Sequence, residues 1–177
     1  MVRGRKISNK EVDLEHLQPK PVVVAGKGKD GADLQVRIHF GTHTVSRRCE
    51  ANEIPNMQDE NNRGRIFCEE RYSFSLQLPS LMAAMVEENY FCWESQDRNR
   101  AVNFAAIDVP RQEVRTLVDG EHRLVYFYLT PSKTDQFHVE LYVTSCHVRT
   151  VTLQRVKRRF NMHTVLRKCL YDGRRVP

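Results

Sequence analysis

No long apolar run occurs in this chain. Its longest stretches, such as Val22-Val-Val-Ala25 and Leu124-Val-Tyr-Phe-Tyr-Leu129, fall far short of the roughly 20 residues that a membrane-spanning helix needs. A helical membrane protein is therefore excluded. The opening Met1-Val-Arg-Gly-Arg-Lys-Ile7 is positive but lacks an apolar core and a small-residue cleavage site, so no secretory signal is expected and the cytosol is the expected location. Cysteine is sparse: Cys49, Cys68, Cys92, Cys146 and Cys169 are odd in number and widely spaced, with no CxxC pair. That pattern argues against a disulfide framework and against structural zinc, and it leaves the thiols as small packing groups. Internal repeats, low-complexity tracts, zinc-finger spacing, heptads and a helix-turn-helix signature are absent as well.

What is present fits one soluble domain. The 177 residues are 40% hydrophobic, enough for a single core. The formal charge of +6 is strongly partitioned. Residues 147–177 carry Arg149, Arg155, Lys157, Arg158, Arg159, Arg167, Lys168, Arg174 and Arg175 against Asp172 alone, a net of +8. Residues 1–29 carry +4, so the acidic middle carries the balance of −6. Clustered like charge is relieved when an anion arrives, so the partition points to a polyanionic partner.

Periodicity supplies the elements. Leu34, Val36, Ile38 and Phe40 alternate with polar residues, and with Val22-Val-Val-Ala25 they predict a hairpin across Gly26-Lys-Gly-Lys-Asp-Gly31. That loop lacks the order of GxxxxGK[ST] and precedes a strand, so a phosphate loop is set aside. Residues 41–65 read as a long surface loop with a turn at Asn61-Asn-Arg-Gly64. Tyr72, Phe74, Leu76 and Leu78 alternate like a strand but lead into a helix after Pro79, with Leu81, Met82, Met85 and Val86 inward. Strands are expected near 90–93, 101–107, 123–129 and 136–145, then another near 148–153, and a short helix over 162–170 ending at Asp172-Gly173. The expected architecture is α+β, a single domain with an antiparallel sheet of about five or six strands, one main helix packed on it, and basic terminal segments. A basic arm covers 1–20, the core 21–153, and the basic C-terminal segment 154–177.

Two constellations could carry chemistry. Arg149, Arg155, Lys157, Arg158, Arg159, Phe160, Arg167 and Lys168 combine phosphate-neutralising cations with one ring for base stacking. They suggest nucleic-acid binding without catalysis, RNA favoured over DNA because no duplex-reading motif is present. The other is the polar face of the clearest strand, where His138, Glu140 and Tyr142 alternate with inward Val139 and Leu141. If the strand bearing Arg37 and His39 lay alongside, a base, an acid and a phosphate-binding arginine would meet, as metal-independent RNA cleavage requires. A wet sheet face also displays such residues for solubility alone. His39-x-x-x-His43 has no ligand partner at a characteristic spacing, and Cys146 and His147 point to opposite faces of a strand, so neither metal nor cofactor is expected.

The segments Phe67-Cys-Glu-Glu-Arg-Tyr-Ser-Phe-Ser-Leu-Gln-Leu-Pro-Ser-Leu-Met82 and Phe137-His-Val-Glu-Leu-Tyr-Val-Thr-Ser-Cys-His-Val-Arg149 resemble small uncharacterised proteins of bacterial phages and integrated mobile elements. Those share an Arg-Tyr…Ser…Leu-Pro run and a strand ending near Ser-Ala-Tyr, where this chain has Cys146 and His147. The resemblance implies a mobile-element setting and a helix at Arg71-Tyr72, and it brings no assigned activity. The readings carried forward are nucleic-acid binding, a toxin-like ribonuclease, and an interaction module for an acidic protein or a host factor. Nothing in the sequence sets an oligomeric state.

Overall fold

The computed structural model describes residues 5–7, 10–97, 100–108 and 112–177. Parts of two expected features, the arm at 1–4 and 8–9 and the turn at 98–99, lie outside the described residues. In chain order the elements are β1 (Arg5–Ile7), β2 (Lys10–Val12), β3 (Lys20–Val24), β4 (Leu34–Phe40), β5 (Ser46–Arg48), β6 (Met57–Gln58) and β7 (Gly64–Phe67). There follow α1 (Glu69–Ser75), α2 (Leu78–Glu87), β8 (Phe91–Asp97), β9 (Arg100–Asp108), β10 (Gln112–Glu113), β11 (Gly120–Pro131), β12 (Val139–Val151), β13 (Val156–Asn161) and α3 (Met162–Asp172).

The main sheet runs β13-β8-β9-β11-β12-β4-β3, with the short β10 added to β9. All of its neighbouring pairs are antiparallel except β12 with β4, which is parallel. The expected purely antiparallel sheet of five or six strands is thus corrected to a larger mixed sheet. Turn residues set the direction of local hairpins such as β3–β4, but no turn joins β4 to β12 a hundred residues later, so their relative direction is not written locally.

The residues expected to form one long loop at 41–65 include β5, β6 and β7, a second small sheet in the order β5-β7-β6. Its turn is where the sequence placed it: Asp59 Oδ1 accepts the amides of Asn61 and Arg63, both at 2.9 Å, and Asn62 takes φ 61°. At 69–75 the strand-like alternation gives way to α1, in agreement with the helix implied at Arg71-Tyr72. Three α-helices are present among the described residues instead of one main helix.

Helix α2 starts at Leu78-Pro79, where proline's missing N–H is harmless, and buries Leu81, Met82, Met85 and Val86. Helix α3 buries Met162, Val165, Leu166 and Cys169, and Gly173 ends it in the left-handed region with φ 61°. Both contribute to the main core with Val36, Ile38, Leu129, Leu141 and Val143 on one face of the sheet. The opposite face, the front, has a smaller cluster of Trp93, Phe104, Ala106 and Leu124 covered by Val114 and Leu117. Toward β12 and β4 the front lacks that apolar cover.

A bulge keeps β12 in phase with the core. The register with β11 shifts between Tyr126 and Phe127, which face Ser145 and Val143 respectively, and the extra residue Thr144 donates its hydroxyl to the Tyr126 carbonyl at 3.1 Å. Cys146, Val143 and Leu141 therefore all enter one core, although strict alternation would expel Cys146. The predicted strands at 136–145 and 148–153 are accordingly one strand that bends at the bulge. Leu141 is fully buried, so Leu141→Ala should cost about 2–5 kcal/mol, read as a lower urea midpoint with an unchanged slope. A loss under 1 kcal/mol would contradict this packing.

Candidate functional site

The parallel register sets Glu140 opposite Arg37 and Tyr142 opposite His39. In sheets the side-chain period is two, so these four residues share the front face. Glu140 is only 4% exposed there. Arg37 donates to both of its oxygens, Nε at 2.8 Å and Nη2 at 2.7 Å; the Ser132 hydroxyl donates at 2.7 Å, and His39 Nε2 lies 2.7 Å from Oε2. The Arg37 guanidinium also stacks over Phe137 at 4.7 Å.

Burial would push the Glu140 carboxyl up, but the hydrogen bonds from Arg37, Ser132 and His39 outweigh it and hold the group down at about 2. A carboxylate so held is a poor proton acceptor at neutral pH, and it acts as an anchor for its neighbours. An ionised carboxylate only accepts, so His39 Nε2 carries its proton and Nδ1 is the nitrogen left to exchange one. Of the residues expected at this site, Glu140, Arg37 and His39 come together. His138 does not join them: it lies just before β12, and its Nδ1 accepts the Gln35 amide at 2.9 Å.

Beside this cluster stands a ladder of rings from three adjacent strands. His39 stacks on Tyr142 at 4.5 Å and 10°, Tyr142 on Tyr128 at 4.9 Å and 11°, and the Arg175 guanidinium caps Tyr128 at 4.0 Å. Burial, then the charge of Glu140, raise the Tyr142 hydroxyl pKa. A groove of about 550 Å³ opens along the ladder, lined also by Gly41, His43, Glu60, Asn61 and Thr144. His43 Nε2 lies 3.3 Å from Asp59 Oδ2, while Glu60 accepts the Thr42 amide at 2.6 Å and its hydroxyl at 3.0 Å. Among the described residues no group of three or more His, Cys, Asp or Glu is placed to hold a metal ion.

The basic residues occupy an edge strand and a helix. Lys157, Arg158 and Arg159 are exposed along β13, Arg155 in the turn just before it, and Arg167 and Lys168 along α3. Arg158 pairs with Glu94 at 3.4 Å and lies over Phe160; Arg159 lies over Phe91 at 4.5 Å. Arg149 and Arg155 border one small hollow on the front face. Phe160, expected as a stacking ring, packs partly against the main core. The basic ends meet at one place: Tyr171, whose ring carries Arg167 at 5.6 Å, donates its hydroxyl to the Gly28 carbonyl at 3.4 Å between Lys27 and Lys29.

Sequence reasoning missed Ser132, Tyr128, Arg175 and the His43–Asp59 pair. Tyr128 was reachable through its alternation with Phe127 and Leu129. The others come from loops or the chain end, where no periodicity reports direction.

A family model described as the YjaZ family matches residues 5–170. No curated protein and no solved structure matches the chain.

The native Glu140 carboxyl titrates below its unfolded value, so its contribution is present above about pH 4.5 and is lost as pH falls toward 2. The stability advantage of wild type over Glu140→Gln should shrink by about 3 kcal/mol across that window. Urea midpoints at several pH values measure it, and a gap that stays constant with pH would contradict the account.

Proposed function

The chain belongs to the YjaZ family, and we propose that it binds nucleic acid, RNA in preference to DNA, through its C-terminal basic surface and without catalysis. The observation that carries this reading is the setting of the cations. Lys157, Arg167 and Lys168 are exposed on β13 and α3 and Arg155 in the turn leading into β13, and among the described residues no carboxylate pairs with them. Unpaired cations on a fixed frame gain most from phosphate, because neither an ion pair nor a flexible segment has to be given up.

Lysine and arginine on an edge strand also prevent sheet-to-sheet aggregation, a role β13 fills whatever else it does. That role does not extend to Arg167 and Lys168 on α3, or to Lys27 and Lys29 in the loop that Tyr171 touches. A surface running from the loop across α3 to β13 is larger than edge protection needs. The five cysteines are free thiols, which suits the reducing cytoplasm included in this reading. A phage or mobile-element origin is part of the same proposal, supported by the helix at Arg71-Tyr72 that the resemblance implied.

A second reading, metal-independent RNA cleavage, is favoured by the Glu140–His39 pair, since a carboxylate that orients an imidazole is an arrangement used in general acid–base catalysis. It predicts that RNA incubated with the protein and a chelator is cut, and that His39→Ala stops the cutting. Intact RNA at high protein concentration rejects it.

For the leading reading, anisotropy of labelled single-stranded RNA should show log affinity falling with log salt by about 0.7 per phosphate contact. Replacing Arg155, Lys157 and Arg159 together by Gln should weaken binding and flatten that slope. Affinity that ignores salt, or a stable protein complex surviving nuclease in place of RNA binding, would overturn it.

A further inference from the structure

The front face is divided. Over β8, β9 and β11 it is covered by Val114 and Leu117. Across the rest of β11, β12 and β4 it carries the half-buried rings of Tyr128, Tyr142 and His39, with no α-helix of the described residues packed over them. We infer that this open half is a stacking platform for unpaired nucleobases, with one base taken into the groove beside the ring ladder and the phosphate backbone met by cations at its rim; the inference rests on the nucleic-acid reading and extends it to a second, base-dependent contact.

The groove's lining favours a base over a phosphate. It contains Asn61, Glu60, His43 and Thr144 but neither Lys nor Arg, so it offers hydrogen-bonding groups for a heterocycle's edge and little charge for an anion. Its volume of about 550 Å³ is in the range of sites that enclose one small organic group. The cations stand outside: Arg175 caps Tyr128, and Arg37 is held between Glu140 and Phe137. With Arg37 committed to Glu140, Arg175 is a cation at the margin for phosphate, with the planar groups inside, as single-strand sites require.

The ladder itself can be extended. Each neighbouring pair of its three rings already lies within 11° of parallel, at 4.5 and 4.9 Å. Arg175 closes the Tyr128 end, but strand β3 begins at Lys20 opposite Ile38, so among the described residues no strand residue is paired with His39 on its outer side. A base stacked there would continue an existing series. Every base has a π face, so such a site accepts many sequences.

The platform is also preorganised. His39 is fixed by its bond to Glu140, and Glu140 by the Arg37 fork and Ser132. Gly41 keeps the groove floor clear, because a Cβ there would stand 3.2 Å from Glu60 Oε1 and 3.3 Å from the Val143 carbonyl. Strands β13 and β11 are three places apart in the sheet, about 14 Å. One strand of RNA can therefore contact Arg159 at the basic edge and the rings in the same complex.

The test compares two probes of equal length on the full chain: oligoadenylate carrying one 2-aminopurine, and an abasic chain with the same phosphates. The proposal expects oligoadenylate to bind about tenfold more tightly per stacked base than the abasic chain. It expects 2-aminopurine emission to be quenched on binding, and Tyr142→Ala and His39→Ala to remove both effects while abasic binding persists. Replacing Lys157 and Arg159 by Gln should weaken both probes equally. Equal affinity for the two probes with no quenching by wild type, a result that needs no variant to fold, overturns the platform and leaves the basic-surface reading standing. Failure of both probes to bind overturns that reading, and the platform with it.

Discussion

A single buried carboxylate organises the front of this protein. Glu140 gives up most of its hydration, a cost of several kcal/mol for an ion, and recovers it only through four well-placed donors. Those donors come from β4 and from the turn before β12, so the carboxylate joins strands about a hundred residues apart. Once Arg37 and His39 are fixed, the orientation of His39 sets the plane on which Tyr142 and Tyr128 stack. Removing one partner would leave an uncompensated charge, which is why the arrangement behaves as a unit.

The partition of charge acquires a spatial meaning from the sheet order. The strongly basic β13 forms one edge of the sheet, and β3 with its lysine-bearing loop lies at the other. They are linked across the back by α3, whose Tyr171 reaches Gly28. The acidic middle supplies the body of the main sheet, where Glu140 is engaged by hydrogen bonds, and the turn between β6 and β7, where Asp59 and Glu60 are. The positive charge lies at the margins of the sheet, while the ring-lined groove holds Glu60 and neither Lys nor Arg.

Much of the fold was legible because burial imposes a period. The alternation of Leu34, Val36, Ile38 and Phe40, and of Val139, Leu141 and Val143, matches their burial. The helical face of α2 and the glycine end of α3 were equally readable. The direction of β4 against β12 was not, since a period of two is the same in parallel and antiparallel pairs. Tyr72, Phe74, Leu76 and Leu78 left strand and helix open, because their alternation is a strand period; in the helices that form, alternate residues fall on opposite sides, and Leu76 is exposed while Leu78 is buried. Within the site, Glu140, Arg37, His39 and Tyr142 followed from strand parity once adjacency was assumed. Ser132, Asp59 and Arg175 reach the site from loops and the chain end, and Thr144 matters only through its bulge.

The central claim is that the basic margin and the ring-bearing front serve one nucleic-acid strand. Amide hydrogen exchange with and without single-stranded RNA tests this most directly, because it reports both regions in the unmodified chain. The account predicts slower exchange on RNA binding in two separated segments, residues 155–160 and residues 37–43, with helix α2 unchanged. Protection in neither segment, or in α2 and the core alone, would contradict it.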